Sequence, residues 1–362
     1  MSAPVITAMG MLSPLGLGRA AFEKGWREGA AAVASDSDGP PVARLARFRA
    51  RDFLPGAGSL LRRMDRLSSL ICVSAAMTCE DAGLGEDTAD LALGVGTDLG
   101  TLDETWRFLA RLRDKGPALA NPLSFPNLVP NAGAGYAGIL LGMQGPSQTF
   151  CQHEICGEEA LGWAAEGIRA GRFSAAVAGG AEELGEIRLR AETVANCGPQ
   201  SGVPGEGAAM VLLEGRERAR QRGVPVLAEY LGTWTGRTAS RSPLVKSSSY
   251  EGLGSLLETA LDQAGVKPAQ LGVMLLSAPD DRLLAEVVHR VVDGDLPSSD
   301  HHVRVGLYPA DGALRVALCS LLLADPTLSV NARGELRGGP VALVLTVGRG
   351  GVCAVTLLRE SC

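Results

Sequence analysis

The sequence predicts an α/β fold with a mostly parallel sheet, built as two similar halves. Three observations point there. Short apolar or β-branched runs alternate with longer helical patterns along the whole chain, the signature of crossover strand–helix–strand units. Glycine is frequent, at 47 residues, and aromatics make up only 4%, which suits layers whose backbones approach closely. Two glycine-rich turns also run into apolar strands at corresponding places. Gly205-Glu206-Gly207 precedes one, and Gly348-Arg349-Gly350-Gly351 precedes the other.

The expected strands, in order, are Val5 to Met9, Leu91 to Val95, Gln148 to Cys151, Ala175 to Ala178, Ala208 to Leu213, Val226 to Leu231, Gly272 to Leu276, Val341 to Thr346 and Val352 to Leu358. Most are unbroken apolar runs, as expected of strands covered on both faces. Between them fall the expected helices. Arg63 to Ala82 contains the apolar run Leu70-Ile71-Cys72-Val73. In Leu102 to Arg113, the residues Leu102, Thr105 and Leu109 recur at i, i+3 and i+7 and so share one face. Ile155 to Ala170 is rich in Ala and Gly and is expected to be a buried layer, with Gly312 to Leu323 as its counterpart. Gly252 to Ala264 and Arg282 to Val292 complete the set. A boundary near Arg222-Gly223 separates residues 1–223 from 224–362 with no low-complexity linker.

The net charge of −6 gives a nucleic-acid role no electrostatic support. Lysines occur only at Lys24, Lys115, Lys246 and Lys267; the rest of the 34 basic residues are arginines. The eight cysteines are scattered without a CxxC pair, so neither a zinc site nor a disulfide framework is indicated. Free, mostly buried thiols in a reducing compartment are expected, with Cys151 as a buried strand residue. No positive charge precedes Arg19, and the longest apolar stretch, near Tyr136 to Met143, is short and glycine-rich. Neither a signal peptide nor a membrane span is expected, and the expected location is cytoplasmic.

The segment from Asn121 to Glu182 carries the strongest pattern. It contains Phe125-Pro126, Val129-Pro130-Asn131, Gly142, Gly145-Pro146, Thr149, Gly157, Ala160, Ile168, Gly171 and Gly179-Gly180-Ala181-Glu182. Ser13-Pro14-Leu15-Gly16, Arg63-Met64-Asp65-Arg66, Asp81-Ala82-Gly83-Leu84 and the closing Gly348-x-Gly350-Gly351 add to it. The whole resembles the β-ketoacyl synthases of the thiolase superfamily, strongly in the first half and thinly after about Tyr230. The resemblance implies a five-layer α/β/α/β/α fold of two tandem pseudo-repeated halves, with mixed five-stranded sheets around two shared buried helices. It also implies substrates carried on the phosphopantetheine of an acyl carrier protein, with no cofactor or metal of the chain's own.

In that family a cysteine nucleophile stands at a helix N-terminus, where the dipole and unpaired N–H groups favour the thiolate. Counted from Gly145-Pro146, its place falls on Glu154. A carboxylate is comfortable there but cannot hold an acyl chain as a thioester. The family's two histidines stabilise an enolate. In this chain their places fall on Ser277, in Leu275-Leu276-Ser277-Ala278-Pro279-Asp280-Asp281, and on Gly306. The family's phenylalanine gate is replaced by Val347 and Arg349. Of the four histidines present, His289 reads as part of a surface helix and His301-His302, after Ser298-Ser299-Asp300, as an exposed loop. Cys156 reads as part of the helix start rather than as an exposed, displaced nucleophile.

A subunit so stripped resembles the chain length factor of a type II polyketide or polyene synthase. Such a subunit pairs with an active ketosynthase as a heterodimer and serves an acyl carrier protein. This position in such subunits typically holds glutamine, so glutamate is a departure. The arginines at 44, 47, 49 and 51, and at 62, 63 and 66, read mainly as solvated faces, with one of them a candidate dock for an acidic carrier protein. The resemblance also makes Leu102, Thr105 and Leu109 a candidate chain-length gate, an ordinary core stripe being the alternative. Two other readings stand beside the subunit: a thiolase-fold enzyme with altered acyl-transfer chemistry through Glu154 or Cys156, and a homodimeric non-catalytic scaffold.

Overall fold

The computed structural model describes residues 3–30, 34–35, 41–45, 48–195, 203–239, 250–277, 282–292, 296, 301–325, 327–328 and 339–361. Cys197, Cys362, Arg47 and the 278–281 stretch after Ser277 lie outside these residues. In chain order come β1 (Pro4–Ser13), β2 (Gly16–Leu17), α1 (Arg19–Arg27), β3 (Ala34–Ser35), β4 (Pro41–Val42), α2 (Arg66–Asp81), β5 (Ala92–Gly96), α3 (Leu102–Lys115) and α4 (Ala132–Leu141). Then follow β6 (Ser147–Phe150), α5 (Cys156–Arg169), β7 (Ala175–Glu182), α6 (Glu186–Ala195), β8 (Gly207–Gly215), α7 (Arg216–Arg222) and β9 (Ala228–Arg237). The chain continues with α8 (Leu253–Ala264), β10 (Leu271–Leu276), α9 (Arg282–Val292), α10 (His301–Val305), α11 (Gly312–Ala324), β11 (Val341–Val347) and β12 (Val352–Arg359).

The main sheet runs β10-β11-β12-β9-β1-β8-β7-β5-β6, with β2 paired to β1. It is mixed, as the family resemblance implies, whereas the strand–helix alternation alone suggests a mostly parallel one. Only β5–β6, β5–β7 and β10–β11 pair in parallel; the other neighbours in the main sheet are antiparallel. Strand–helix alternation does not fix strand direction. The tight turn through Gly350 and Gly351, both at positive φ, folds β12 straight back along β11 as a hairpin.

The order β5-β7-β8-β1 in the first part of the sheet matches β10-β11-β12-β9 in the second, pair by pair in direction. The two parts meet at only two residue pairs, Val5 with Glu229 and Ile6 with Ala228. Helices α5 and α11 pack against each other and against strands of both parts, while α2 and α4 cover one outer face and α8 and α9 the other. This is the five-layer thiolase arrangement, with α5 and α11 as the buried middle layer.

The strand runs are apolar throughout because both faces are covered. In β8, Ala209, Val211 and Leu213 face the central core, while Ala208, Met210 and Leu212 face the outer one under α2. Every described side chain of α11 up to Leu323 is buried.

Candidate functional site

The β6–α5 connection is a strained turn. After β6 the chain passes through a 3-10 turn, His153–Ile155, directly into α5. His153 has φ 51, the only positive φ at a non-glycine among the described residues, a conformation that costs free energy and recurs at functional sites. The turn aims Glu154 at the β11–β12 turn. Glu154 Oε2 accepts a hydrogen bond from the backbone N–H of Arg349 at 2.9 Å, and its Oε1 accepts from Arg349 Nε, also at 2.9 Å. Gly348 closes over the pair; a Cβ there would collide with the Glu154 carboxylate.

Arg349 reaches further. Its Nη2 donates to Asp98 Oδ2, at the end of β5. His153 Nδ1 lies 3.6 Å from the other Asp98 oxygen, too long for a hydrogen bond. Beneath them, buried Glu182 ties down the β5–α3 loop by accepting from Asp98 N at 2.9 Å, Leu99 N at 3.3 Å and Thr97 Oγ1 at 3.3 Å. Burial raises the Asp98 carboxyl above its usual range, with Arg349 opposing and Glu154 reinforcing that shift. Burial pushes Glu182 up to about 7.

The other two expected positions hold no imidazole, and at Gly306 a side chain would meet close neighbours. Ser277 Oγ accepts from Val347 N at 2.9 Å and donates to Val347 O at 3.2 Å, pinning the end of β10 to the end of β11. Gly306 has φ +74, and a Cβ would lie 2.5 Å from the Ala43 Cβ and 3.0 Å from Val203 O. Cys156 is fully buried in the core, and burial drives its thiol well above the usual value; such a thiol is a poor nucleophile.

Two expectations are corrected. Cys151 is exposed rather than buried, because β6 ends at Phe150 and forms the sheet edge. His301 and His302 are not in an exposed loop. They form the first turn of α10, at 1% and 6% exposure, which Val305 anchors in the central core. His289, by contrast, is exposed on α9.

Residues 3–219 match the family model described as the N-terminal domain of β-ketoacyl synthase. The chain belongs to the β-ketoacyl synthase family. It is 28% identical over 305 residues to 3-oxoacyl-[acyl-carrier-protein] synthase 2 of Vibrio cholerae, spanning 74% of this chain and 71% of that one. The Staphylococcus aureus protein of the same name is 29% identical over 293 residues, 73% of this chain and 72% of the relative. Among solved structures, the ishigamide ketosynthase/chain length factor superposes over 100% of both chains with TM-score 0.88 at 21% identity. A ketosynthase in complex with its chain length factor from Xenorhabdus doucetiae gives 0.81 at 18% identity, covering 99% of this chain and 98% of that one.

On this β-ketoacyl synthase fold, an apolar surface flanks the site. Trp106 and Leu109 on α3, Leu119, Leu123 and Phe125 in the following turns, and Ile139 on α4 are all more than half exposed. The segments that carry them pack against one another and reach the edge strand β6, where Ser147 and Gln148 are open to solvent. Exposed apolar side chains near an unpaired strand edge are a usual mark of an assembly face. On α3, Leu102 and Thr105 are half-buried while Leu109 is 52% exposed, so the stripe passes from the protein interior to this face. Of the basic clusters, Arg66 is bound to buried Glu206 and Arg44 to the Leu184 carbonyl, while Arg49, Arg51, Arg62 and Arg63 remain exposed.

The motif register placed Glu154, but its partners went unassigned. The available signal was compensation: an arginine in the closing glycine turn stands opposite an acid at the start of α5.

Proposed function

We propose that this chain is a catalytically inactive ketosynthase-like subunit that pairs with an active ketosynthase and shapes the acyl tunnel, so setting polyketide or polyene chain length on an acyl carrier protein. The observation that carries the reading is Glu154, held at the α5 N-terminus by two hydrogen bonds from Arg349. A carboxylate engaged in this way neither attacks a thioester nor stores an acyl group, and the positions of Ser277 and Gly306 supply no donor to stabilise an enolate. The buried Cys156 does not support the altered-enzyme reading.

Two further facts support a partner: the exposed apolar face beside β6, and the likeness in fold to chains solved as ketosynthase–chain length factor assemblies. In this reading Leu109, exposed on that face, closes the far end of the partner's tunnel, with Leu102 and Thr105 behind it.

The test is reconstitution by co-expression with an active ketosynthase of a type II polyketide or polyene pathway. The account expects a stable one-to-one complex that condenses acyl and malonyl carrier-protein substrates, and no condensation by this chain alone. A stable homodimer that ignores the ketosynthase would favour a scaffold, and condensation by the isolated chain would overturn the reading.

A further inference from the structure

Three separate connections converge at Arg349: the β6–α5 turn through Glu154, the β5–α3 loop through Asp98, and the β11–β12 turn that carries the arginine itself. The guanidinium offers Nε to one carboxylate and Nη2 to the other, so two acids from distant parts of the chain share one fork. That is receptor geometry for a planar cation with several donors; a lysine ammonium is a point charge and does not match it. The side chains are largely withdrawn from water, at 20% exposure for Arg349, 18% for Glu154 and 7% for Asp98. Were the guanidinium removed, Glu154 and Asp98 would face each other across its place without a shared counter-charge, with Glu182 behind Asp98.

We infer that Glu154 and Asp98 form a guanidinium-binding site whose resident ligand is the chain's own Arg349, and that this occupied site seals the position an acyl group would need. The inference deepens the subunit reading and rests on it only for the statement that no acyl group needs Glu154. Arg349 is a positioning residue. It locks the closing turn onto the α5 N-terminus and, through Asp98, holds the loop that leads into α3.

The test is thermal unfolding of the full chain carrying Arg349→Ala, with methylguanidinium chloride as probe and tetramethylammonium chloride at equal ionic strength as control. Removing one member of a half-buried ion cluster is expected to lower Tm by roughly 5 °C. Methylguanidinium at low millimolar concentration should restore most of that loss saturably, because a ligand that binds only the folded state stabilises it. Tetramethylammonium should not.

The wild type, its site already filled, should gain nothing. Arg349→Lys should recover only part of the loss, and Arg349→Ala combined with Glu154→Gln should lose the response to the probe. If Arg349→Ala accumulates as insoluble protein, the yield on refolding with and without methylguanidinium reads the same site. An Arg349→Ala variant as stable as the wild type overturns the inference. So does a destabilised variant that responds equally to both salts or to neither. No partner or acyl donor enters these measurements, so failed rescue leaves the subunit reading standing, and condensation by the isolated chain leaves the rescue standing.

Discussion

Around Glu154 the protein is charged, partly buried and closed; along α3, α4 and the β6 edge it is apolar and open. The first region holds Glu154, Asp98, Arg349, His153 and Glu182 within one network. The second leaves Leu123 75% exposed and Ile139 69% exposed. The contrast teaches that the polar groups around Glu154 are spent on one another, while the large apolar side chains of α3 and α4 are left uncovered.

A second buried network carries the same lesson deeper. Arg315 of α11, fully buried, donates to Asp311 at 2.8 Å and to Thr346 Oγ1 at 2.8 Å, and lies 3.5 Å from Glu158 of α5. It ties the two central helices together. Arg315→Met would leave Asp311 and Glu158 buried without their cation, and should cost about 3–5 kcal/mol. Denaturant unfolding reads this directly, and a loss below about 1 kcal/mol would show that the interior charge is not structural.

On the open face, Ile139→Asp should weaken binding to the ketosynthase by roughly 30-fold or more while the chain's own Tm changes little. Calorimetric titration against the partner checks it. Unchanged affinity would place the interface elsewhere.

On the same open face stands Leu109 of α3. Leu109→Ala should deepen the tunnel, so that the intact heterodimer makes longer chains at a similar rate per extension. Product lengths that stay unchanged in this variant, and in one with Leu102, Thr105 and Leu109 all replaced by alanine, would remove α3 as the gate.

A further effect is expected on pH dependence. Burial pushes the Glu183 carboxyl up to about 8, with Asp65, Asp103 and Glu182 reinforcing the shift and Arg66 opposing it. An unfolded glutamate titrates near 4.5. Between about 4.5 and 8 the folded chain therefore keeps a proton that the unfolded chain has lost, so stability falls as pH rises through that window and levels off above it. Tm measured from pH 5.5 to 8.5 should decline, and less steeply in Glu183→Gln. A Tm that rises with pH would contradict this.

Most of the fold was legible because its strands are buried on both faces and its helices are long. Every expected strand and helix has a counterpart close to its expected place. Helices α1, α4, α6, α7 and α10 escaped, and α1 did so although Phe22, Gly25 and Trp26 mark a buried face at helical spacing; others lack such a signal. Helix α4, AGAGYAGILL, has small residues all round and no apolar stripe to announce it, and α10 is a single short turn after a polar run. Sheet direction is not legible in the strand–helix alternation, because it depends on turn geometry and pairing; only the family resemblance implies the mixed sheet. The register Gly145-Pro146 to Gly157 located Glu154, yet its partner Arg349 lies 195 residues away. No local pattern links them; only the folded sheet brings the β11–β12 turn over the start of α5.

The central claim is that the acyl chain is never bonded to this subunit. Intact-protein mass spectrometry of the reconstituted complex after incubation with an acyl donor tests it most directly, on the wild type and on Glu154→Cys. The account expects the acyl mass on the ketosynthase alone in the wild-type complex. In Glu154→Cys it expects no condensation from the introduced thiol once the ketosynthase nucleophile is removed. Stoichiometric acylation of this chain in the wild-type complex, at Glu154 or Cys156, would contradict it.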